Sequence, residues 1–378
     1  MRKCFTGLFV GWLLAGSAWA TVDGARQLLR HPEAWFAGEE AKRVTGNILS
    51  WQSDFGGWPK NVNTTAAPFN GDRKTLKPTF DNGTTMDELR FLARRYNATK
   101  DETCHQAFVK GLKYILQAQY PTGGWPQFYP PGKRYPRHIT FNDDAMVRLL
   151  NFLRETYSSD RYEFLAADDQ AAARAAFDRG IQCILKCQIK VNGRLTAWCA
   201  QHDELDYSPR PGRKYELVSI SGSESVGIVR LLMSINQPSP DIIQAVESAV
   251  AWLEAAKLKG IKLVVVADTN SPKGKDARLV PDAAAPPLWA RFCEIGTNLP
   301  IFCDRDGVAK HQLTEIGYER RNGYRWLGDW PQQLLQREYP EWQRKLPGAT
   351  MPAMPPVPAT MPVPPPTAVP ALQTTETQ

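Results

Sequence analysis

Beyond its first 20 residues this chain has no apolar run that approaches the roughly 18 residues a membrane-spanning helix needs, which excludes a polytopic membrane protein. Nor is there a strong excess of one charge. The 46 lysines and arginines stand against 39 acidic residues, a net of +7, which favours an acidic partner over a basic one but is equally the signature of a solvated basic surface. No nucleic-acid-binding motif accompanies that charge, so no nucleic-acid partner is expected. No histidine or further cysteine stands at a usual ligand spacing beside Cys183, Cys187 and Cys199, which argues against a zinc site there. What is present is an ordinary globular balance, 43% hydrophobic and 22% charged over 378 residues. Wholesale disorder, a collagen-like rod and a disulfide-only mini-protein are therefore excluded.

Both ends fall outside the fold. Arg2 and Lys3, an apolar run from Phe5 to about Ala15, and Ala18-Trp19-Ala20 form the pattern of a signal peptide spanning residues 1–20, so the mature chain is expected to start at Thr21 and to be secreted or periplasmic. The stretch Pro347 to Pro370 consists of Met, Pro, Ala, Val and Thr with one Gly, and has nothing aromatic or charged to bury. Residues 347–378 are expected to be a disordered tail, leaving 21–346 as the folded, monomeric unit. Cys4 leaves with the leader, and export of the six remaining cysteines predicts one or more disulfides.

An internal repeat sets the fold class. Ala107-Phe108, Gly111, Ile115-Leu116 and Gln119 recur as Ala176-Phe177, Gly180, Ile184-Leu185 and Gln188, each at an offset of 69 residues. The apolar positions within each copy step by three and four, as on an amphipathic helix. A weaker third copy runs from Ile242 to Ala256. Another helix is predicted ahead of each, over Thr84 to Tyr96, Asp143 to Glu155 and Ser223 to Ile235, all opening on residues suited to an N-terminus. Gln52 with GGWPK, and Gln119 with GGWPQ, repeat one loop. Three successive hairpins predict a mainly α protein, an α/α toroid, with short strands in its long loops and in LVVVA.

A toroid brings the loops that open its inner helices to one mouth. The first reads TFDNGTT, with Asp81 and Asn82; the second reads TFNDDAM, with Asn142, Asp143 and Asp144. Both offer only hard oxygen ligands, the donors a calcium ion takes, and the bland alternative is that they cap helices. The third loop carries Arg210, Arg213 and Lys214 instead of acids, and the segment WARFCEIGTNLPIFCDRDG adds Arg291 and Arg305 among aromatic residues. Arginines in such surroundings suit an anionic ligand, or else an internal pair with Glu294, Asp304 or Asp306.

GGWPKN, TFDNGTT, GGWPQFYP, ITFNDDAMVRLL, RKYELVSISGSESVGI and WARFCEIGTNLPIFCDRDG together resemble the family 10 polysaccharide lyases, pectate lyases with a helical toroid-like module. The resemblance runs from about Phe55 to Leu335. It implies cleavage of polygalacturonate by calcium-assisted anti-β-elimination. By the same resemblance Asp81, Asn82 and Asp143, with Asp144 beside them, fall on metal positions, Asp81 also touching substrate. Arg213, counted back from Tyr215, falls on the proton-abstracting position, with Arg210 the alternative, and Arg291 and Arg305 fall on positions that grip substrate carboxylates. The chemistry is coherent: removing the C5 proton beside a carboxylate builds a second negative charge that calcium and arginines would stabilise. The difficulty is that an arginine base must reach its neutral form.

Two other readings remain in view. A carbohydrate-binding toroid without turnover would use an aromatic cleft that includes Trp58, Trp125 and Trp198 and would need none of the three arginines. An isoprenoid cyclase or prenyltransferase would need a DDxxD-type acidic run, and the chain has none. Truncation after Leu346 is expected to leave both melting temperature and turnover unchanged; calorimetry and an assay on the shortened chain check this, and a substantial loss of either would show that the tail packs on the fold.

Overall fold

The computed structural model describes residues 24–346. The expected leader and the Pro-rich tail lie outside them. The frame is built from α1 (Gly24–Leu28), α2 (Glu39–Ser50), α3 (Met86–Thr99), α4 (Glu102–Gln117), α5 (Ala145–Ser158), α6 (Ala167–Cys187), α7 (Glu224–Met233) and α8 (Pro240–Ala255). Helices α3 and α4, α5 and α6, and α7 and α8 pack as hairpins, while α2, α4, α6 and α8 neighbour one another in one layer and α3, α5 and α7 in the other. The three predicted hairpins are all present, and the fold is an α/α toroid.

Local chemistry accounts for the hairpins. Thr85 and Glu88 form a reciprocal capping box at the start of α3, with the Glu88 carboxylate accepting from the Thr85 backbone N–H at 2.9 Å. Lys100 ends α3 in the left-handed conformation, and Asp101 caps α4 by accepting from the Thr103 N–H at 3.0 Å, so the turn between them is minimal. Gly111 and Gly180 recur because the paired helices approach closely. A β-carbon at either would lie 2.5 Å from a methyl carbon of Leu89 or Leu150 on the inner helix.

The repeat is held together by one device used three times, buried at Gln52 and Gln188 and half-buried at Gln119. The side-chain amide of Gln52 donates to the carbonyls of Gly56 and of Ala107 in α4, both at 2.8 Å. Gln119 does the same to Gly123 and to Ala176 in α6, both at 2.9 Å. Gln188 donates to Thr196 at 2.8 Å and to Ala245 in α8 at 2.9 Å. Ala107, Ala176 and Ala245 stand at the 69-residue offset, so the weak third copy is a full structural one. Each loop then drops a tryptophan into the core. Trp58, Trp125, Trp198 and Trp289 donate from Nε1 to the carbonyls of Ile48, Ile115, Ile184 and Leu253. The expectation that Trp58, Trp125 and Trp198 line an aromatic cleft is therefore corrected: all three are fully buried and have no face to offer a sugar.

One further expectation changes. The six described cysteines are free, buried thiols, so no disulfide forms among them. Cys183 and Cys187 have sulfurs 4.0 Å apart, twice a disulfide length, because they sit one helical turn apart on α6. Burial pushes the Cys293 thiol up to about 12, consistent with an inert core residue. No zinc site gathers either, since among the described residues the thiols of Cys183, Cys187 and Cys199 do not close into a ligand group. The strands are short ladders, apart from a hairpin of β1 (Ile261–Ala267) and β2 (Lys275–Pro281) that contains the LVVVA run. No helix among the described residues is long and apolar enough to cross a membrane.

Gln188→Leu is expected to lower unfolding free energy by about 2 kcal/mol or more, because two buried carbonyls lose a donor that an isosteric apolar chain cannot replace. Urea unfolding of the variant measures it.

Candidate active site

Backbone bonds fix the mouth before any side chain is considered. The N–H groups of Thr79, Thr140 and Ser221 each return to the carbonyl of the tryptophan of their own repeat, Trp58, Trp125 and Trp198, at 3.0, 3.1 and 2.7 Å. The next residue in each loop reaches forward to the following repeat: Phe80 N–H to the Gln127 carbonyl, Phe141 to Ala200, and Gly222 to Arg291, at 3.1, 2.9 and 3.1 Å. Four loops are thus laced in series. Arg291 arrives at the mouth because its own carbonyl is the last acceptor in that chain of bonds.

The two acidic loops have the same backbone. Asn82 and Gly83 have φ of 54° and 83°, and Asp143 and Asp144 have 51° and 59°. Paired left-handed residues explain the choice of Asn, Gly and Asp, which carry that conformation most readily. The match aligns Asn82 with Asp143 and Asp81 with Asn142, and the two turns pack against each other. Asp81 is 3% exposed. One of its oxygens, Oδ2, accepts from the Lys60 ammonium, while Oδ1 is sealed from solvent with no hydrogen-bond partner. Asp143 accepts from Asn142 Nδ2 through Oδ2 at 2.6 Å and from Arg291 Nη2 through Oδ1 at 2.9 Å. Asp144 packs onto α7 over Gly227, and burial, followed by the charge of Glu224, pushes its carboxyl up to about 6. An all-oxygen donor set with one buried, unpartnered carboxylate oxygen fits a hard cation. Lys60 and Arg291 are resident counter-ions on the same two carboxylates.

The three arginines converge on two tyrosine rings. Arg213 lies over Tyr215 at 5.1 Å and over Tyr324 at 5.6 Å; Arg291 lies over Tyr324 at 5.2 Å; Arg305 lies over Tyr215 at 5.9 Å. Arg291 is paired, though with none of the three acids first considered. Glu224 at the start of α7 accepts from its Nε at 3.1 Å and also from Nη2, and Asp143 shares the same Nη2. Arg305 is mostly exposed and pairs with Glu319 at 3.1 Å. Arg213 donates to Glu216 from its guanidinium, and its backbone N–H donates to Glu216 Oε2 at 2.9 Å. Burial opposes charge on Arg213, but the Glu216 bond and charge outweigh it and hold the guanidinium well above its usual pKa. Arg210, by contrast, is tied back to Asp203 at 2.9 Å. Lys60, Glu216, Glu224 and Tyr324 were missed as site residues, although the first three lie inside motifs quoted from the sequence; Tyr324 carries no sequence signal at all.

The pattern that defines pectic acid lyases matches residues 52–335, which takes in every loop just described. The chain belongs to the pectic acid lyase family. Among solved structures it is similar to the family 10 polysaccharide lyase from Cellvibrio cellulosa, at 34% identity and a TM-score of 0.71, over 85% of this chain and 97% of that one. An aspartate-to-alanine mutant of that enzyme, in complex with trigalacturonic acid, matches with the same identity and TM-score over 84% and 97%. No curated protein sequence matches. The present chain is accordingly a polysaccharide lyase of family 10.

The lyase also holds a group of His138, Asp203 and Glu204 with ligand atoms within 4.8 Å of one another. Its charges are already met: Arg137 and His138 hold Glu204, and Arg210 holds Asp203. Beneath this loop His202 is fully buried, accepting from the Cys199 N–H through Nε2 at 3.1 Å and bonding the Tyr207 carbonyl through Nδ1 at 2.8 Å. Burial lowers its pKa to about 4. The unfolded chain takes that proton near pH 6.5 and the folded one only near 4, so stability present above pH 6.5 is lost as pH falls toward 4. The loss amounts to about 3 kcal/mol. Scanning calorimetry across that window should show it, and His202→Asn should flatten the slope while starting from a lower melting temperature at neutral pH.

Proposed function

We propose that this lyase is a secreted or periplasmic, monomeric enzyme, folded over residues 21–346, that cleaves α-1,4-linked polygalacturonate by calcium-assisted anti-β-elimination and releases 4,5-unsaturated oligogalacturonides. The observation that carries the reading is the convergence of Arg213, Arg291 and Arg305 on Tyr215 and Tyr324, with Arg291 reaching directly onto the acidic turn at Asp143. A cationic, aromatic-backed mouth beside two oxygen-rich turns is matched to a chain of uronate carboxylates. The relative that holds trigalacturonic acid supports the same substrate class.

Each residue has a task in this reading. Asp81, through its unpartnered Oδ1, would hold the calcium ion with Asn82, Asp143 and Asp144, the last also backing the second turn against α7. Calcium, when bound, would withdraw charge from the substrate carboxylate and so lower the barrier to loss of the C5 proton. Arg291 and Arg305 would bind carboxylates already charged in the ground state, with Asp81 also touching the sugar. Arg213 would take the C5 proton, and departure of the O4-linked sugar would leave the C4–C5 double bond. Arg210 is less suited because Asp203 holds its guanidinium away from the tyrosines. A non-catalytic carbohydrate-binding role loses its support with the burial of the tryptophans it required.

Ultraviolet absorbance of the unsaturated product on polygalacturonate, with and without chelator, tests the reaction. Chelator, Asp81→Ala and Asp143→Ala should each remove most activity with the fold intact, and full activity of both variants in chelator would dispose of the calcium role. Arg213→Ala and Arg213→Lys should lower kcat by about 10²-fold or more with a small change in KM, as loss of a proton-transfer group does. Arg291→Ala and Arg305→Ala should raise KM as well. Near-normal kcat in Arg213→Lys, with Arg210→Ala inactive, would transfer the base role to Arg210.

A further inference from the structure

We propose that Glu216 is a positioning residue for the elimination: it clamps Arg213, and its negative charge fixes how alkaline the medium must be before Arg213 can take a proton. This rests on the reading of Arg213 as the proton acceptor. The geometry is specific. The turn Gly212–Glu216 closes on itself, with Gly212 N–H donating to the Glu216 carbonyl at 2.9 Å and Glu216 N–H to the Arg213 carbonyl at 2.7 Å. This folds the Glu216 carboxylate under the loop, where it is 4% exposed. Oε2 accepts the Arg213 backbone N–H at 2.9 Å; Oε1 accepts both the Arg213 guanidinium and the Tyr324 hydroxyl, the latter at 2.7 Å. A β-carbon on Gly212 would sit 2.6 Å from Oε2, so the turn has room for nothing else. One side chain therefore fixes both the backbone and the head group of the proposed base.

Such a clamp has two opposed effects. It orients the guanidinium toward the mouth, and by pairing its charge it disfavours the neutral form that must accept the proton. The other groups facing Arg213 do not offset this alone. They are Tyr215 on its own loop, Tyr324 and the arginine Arg320 from the segment after it, and Tyr135 from the turn that follows the second tryptophan loop. Arg320 repels a charged Arg213, but it is itself paired with Glu319. Removing the Glu216 charge thus leaves Arg213 among a like charge and neutral rings. The alkaline rise of kcat should then begin at lower pH.

The test is the dependence of kcat on pH for wild type and Glu216→Gln, in which the amide oxygen can still accept the Arg213 backbone N–H. The rise is expected to move to lower pH by about one unit or more, with KM changed far less. A uniform fall in kcat at every pH, with the rise where it was, would mean that Glu216 is only structural and would overturn the proposal. Should Glu216→Gln fail to fold, Glu216→Asp replaces it. The shorter carboxylate cannot span both Arg213 groups, so the rise should move the same way by less, and an unmoved rise again refutes the idea. Arg213→Ala separates the two readings: if it retains turnover, the base assignment itself is wrong whatever the Glu216 variants do.

Discussion

The structure depends on a primary amide that bonds two carbonyls at once. Gln52, Gln119 and Gln188 each hold the loop of their own repeat and the outer helix of the next. A carbonyl in the middle of a helix is already used by the helix, so the extra bond costs that helix nothing, while the loop would otherwise have an unsatisfied buried carbonyl. The arrangement fixes the distance between consecutive outer helices and the height at which each tryptophan enters the core. Everything at the mouth inherits that height, because the inner-helix loops are bonded to the tryptophan carbonyls.

Acidic and basic side chains at the mouth are closely paired. Lys60 sits on Asp81, Arg291 bridges Asp143 and Glu224, Glu216 holds Arg213, and Glu319 holds Arg305 and Arg320. Buried charges demand such partners, since an unpaired one costs several kcal/mol. In the proposed reaction a polyanionic substrate entering with calcium would replace partners on both sides, carboxylates for the arginines and a cation for the aspartates. The net charge of the site would then change little when both arrive together.

Much of this was legible in the sequence. The 69-residue offset gave the hairpins because helix period and repeat period are independent signals that agreed. The acidic turns were legible because left-handed backbone restricts residue choice so strongly. Aromatic residues misled: a tryptophan beside two glycines looks like a sugar platform, yet Trp58, Trp125 and Trp198 are core, and only their indole bonds to helix carbonyls reveal why. Cysteines misled as well, for the expected export favours disulfides, whereas each of the six described thiols fills a core position. The partners of the arginines were out of reach. Arg291 and Asp143 are 148 residues apart and meet only through the series of loop bonds, a distance no local pattern encodes.

The paired backbone bonds that bracket each mouth loop, one back to the tryptophan and one forward to the next repeat, have a consequence for how this scaffold can change. Between the fixed ends Trp58 and Thr79, Trp125 and Thr140, and Trp198 and Ser221, the intervening chain differs in length and sequence in every repeat. Gln127 and Ala200, the acceptors of the forward bonds, lie near the start of two of these segments, and residues can be inserted or removed beyond them without moving the anchors. Loop-closure entropy grows only slowly with length, so such insertions are cheap. The scaffold therefore separates the bonded anchors from the segments between them, and because those segments also carry Lys60, Arg213 and Glu216, a change of polymer specificity there must keep these side chains in place.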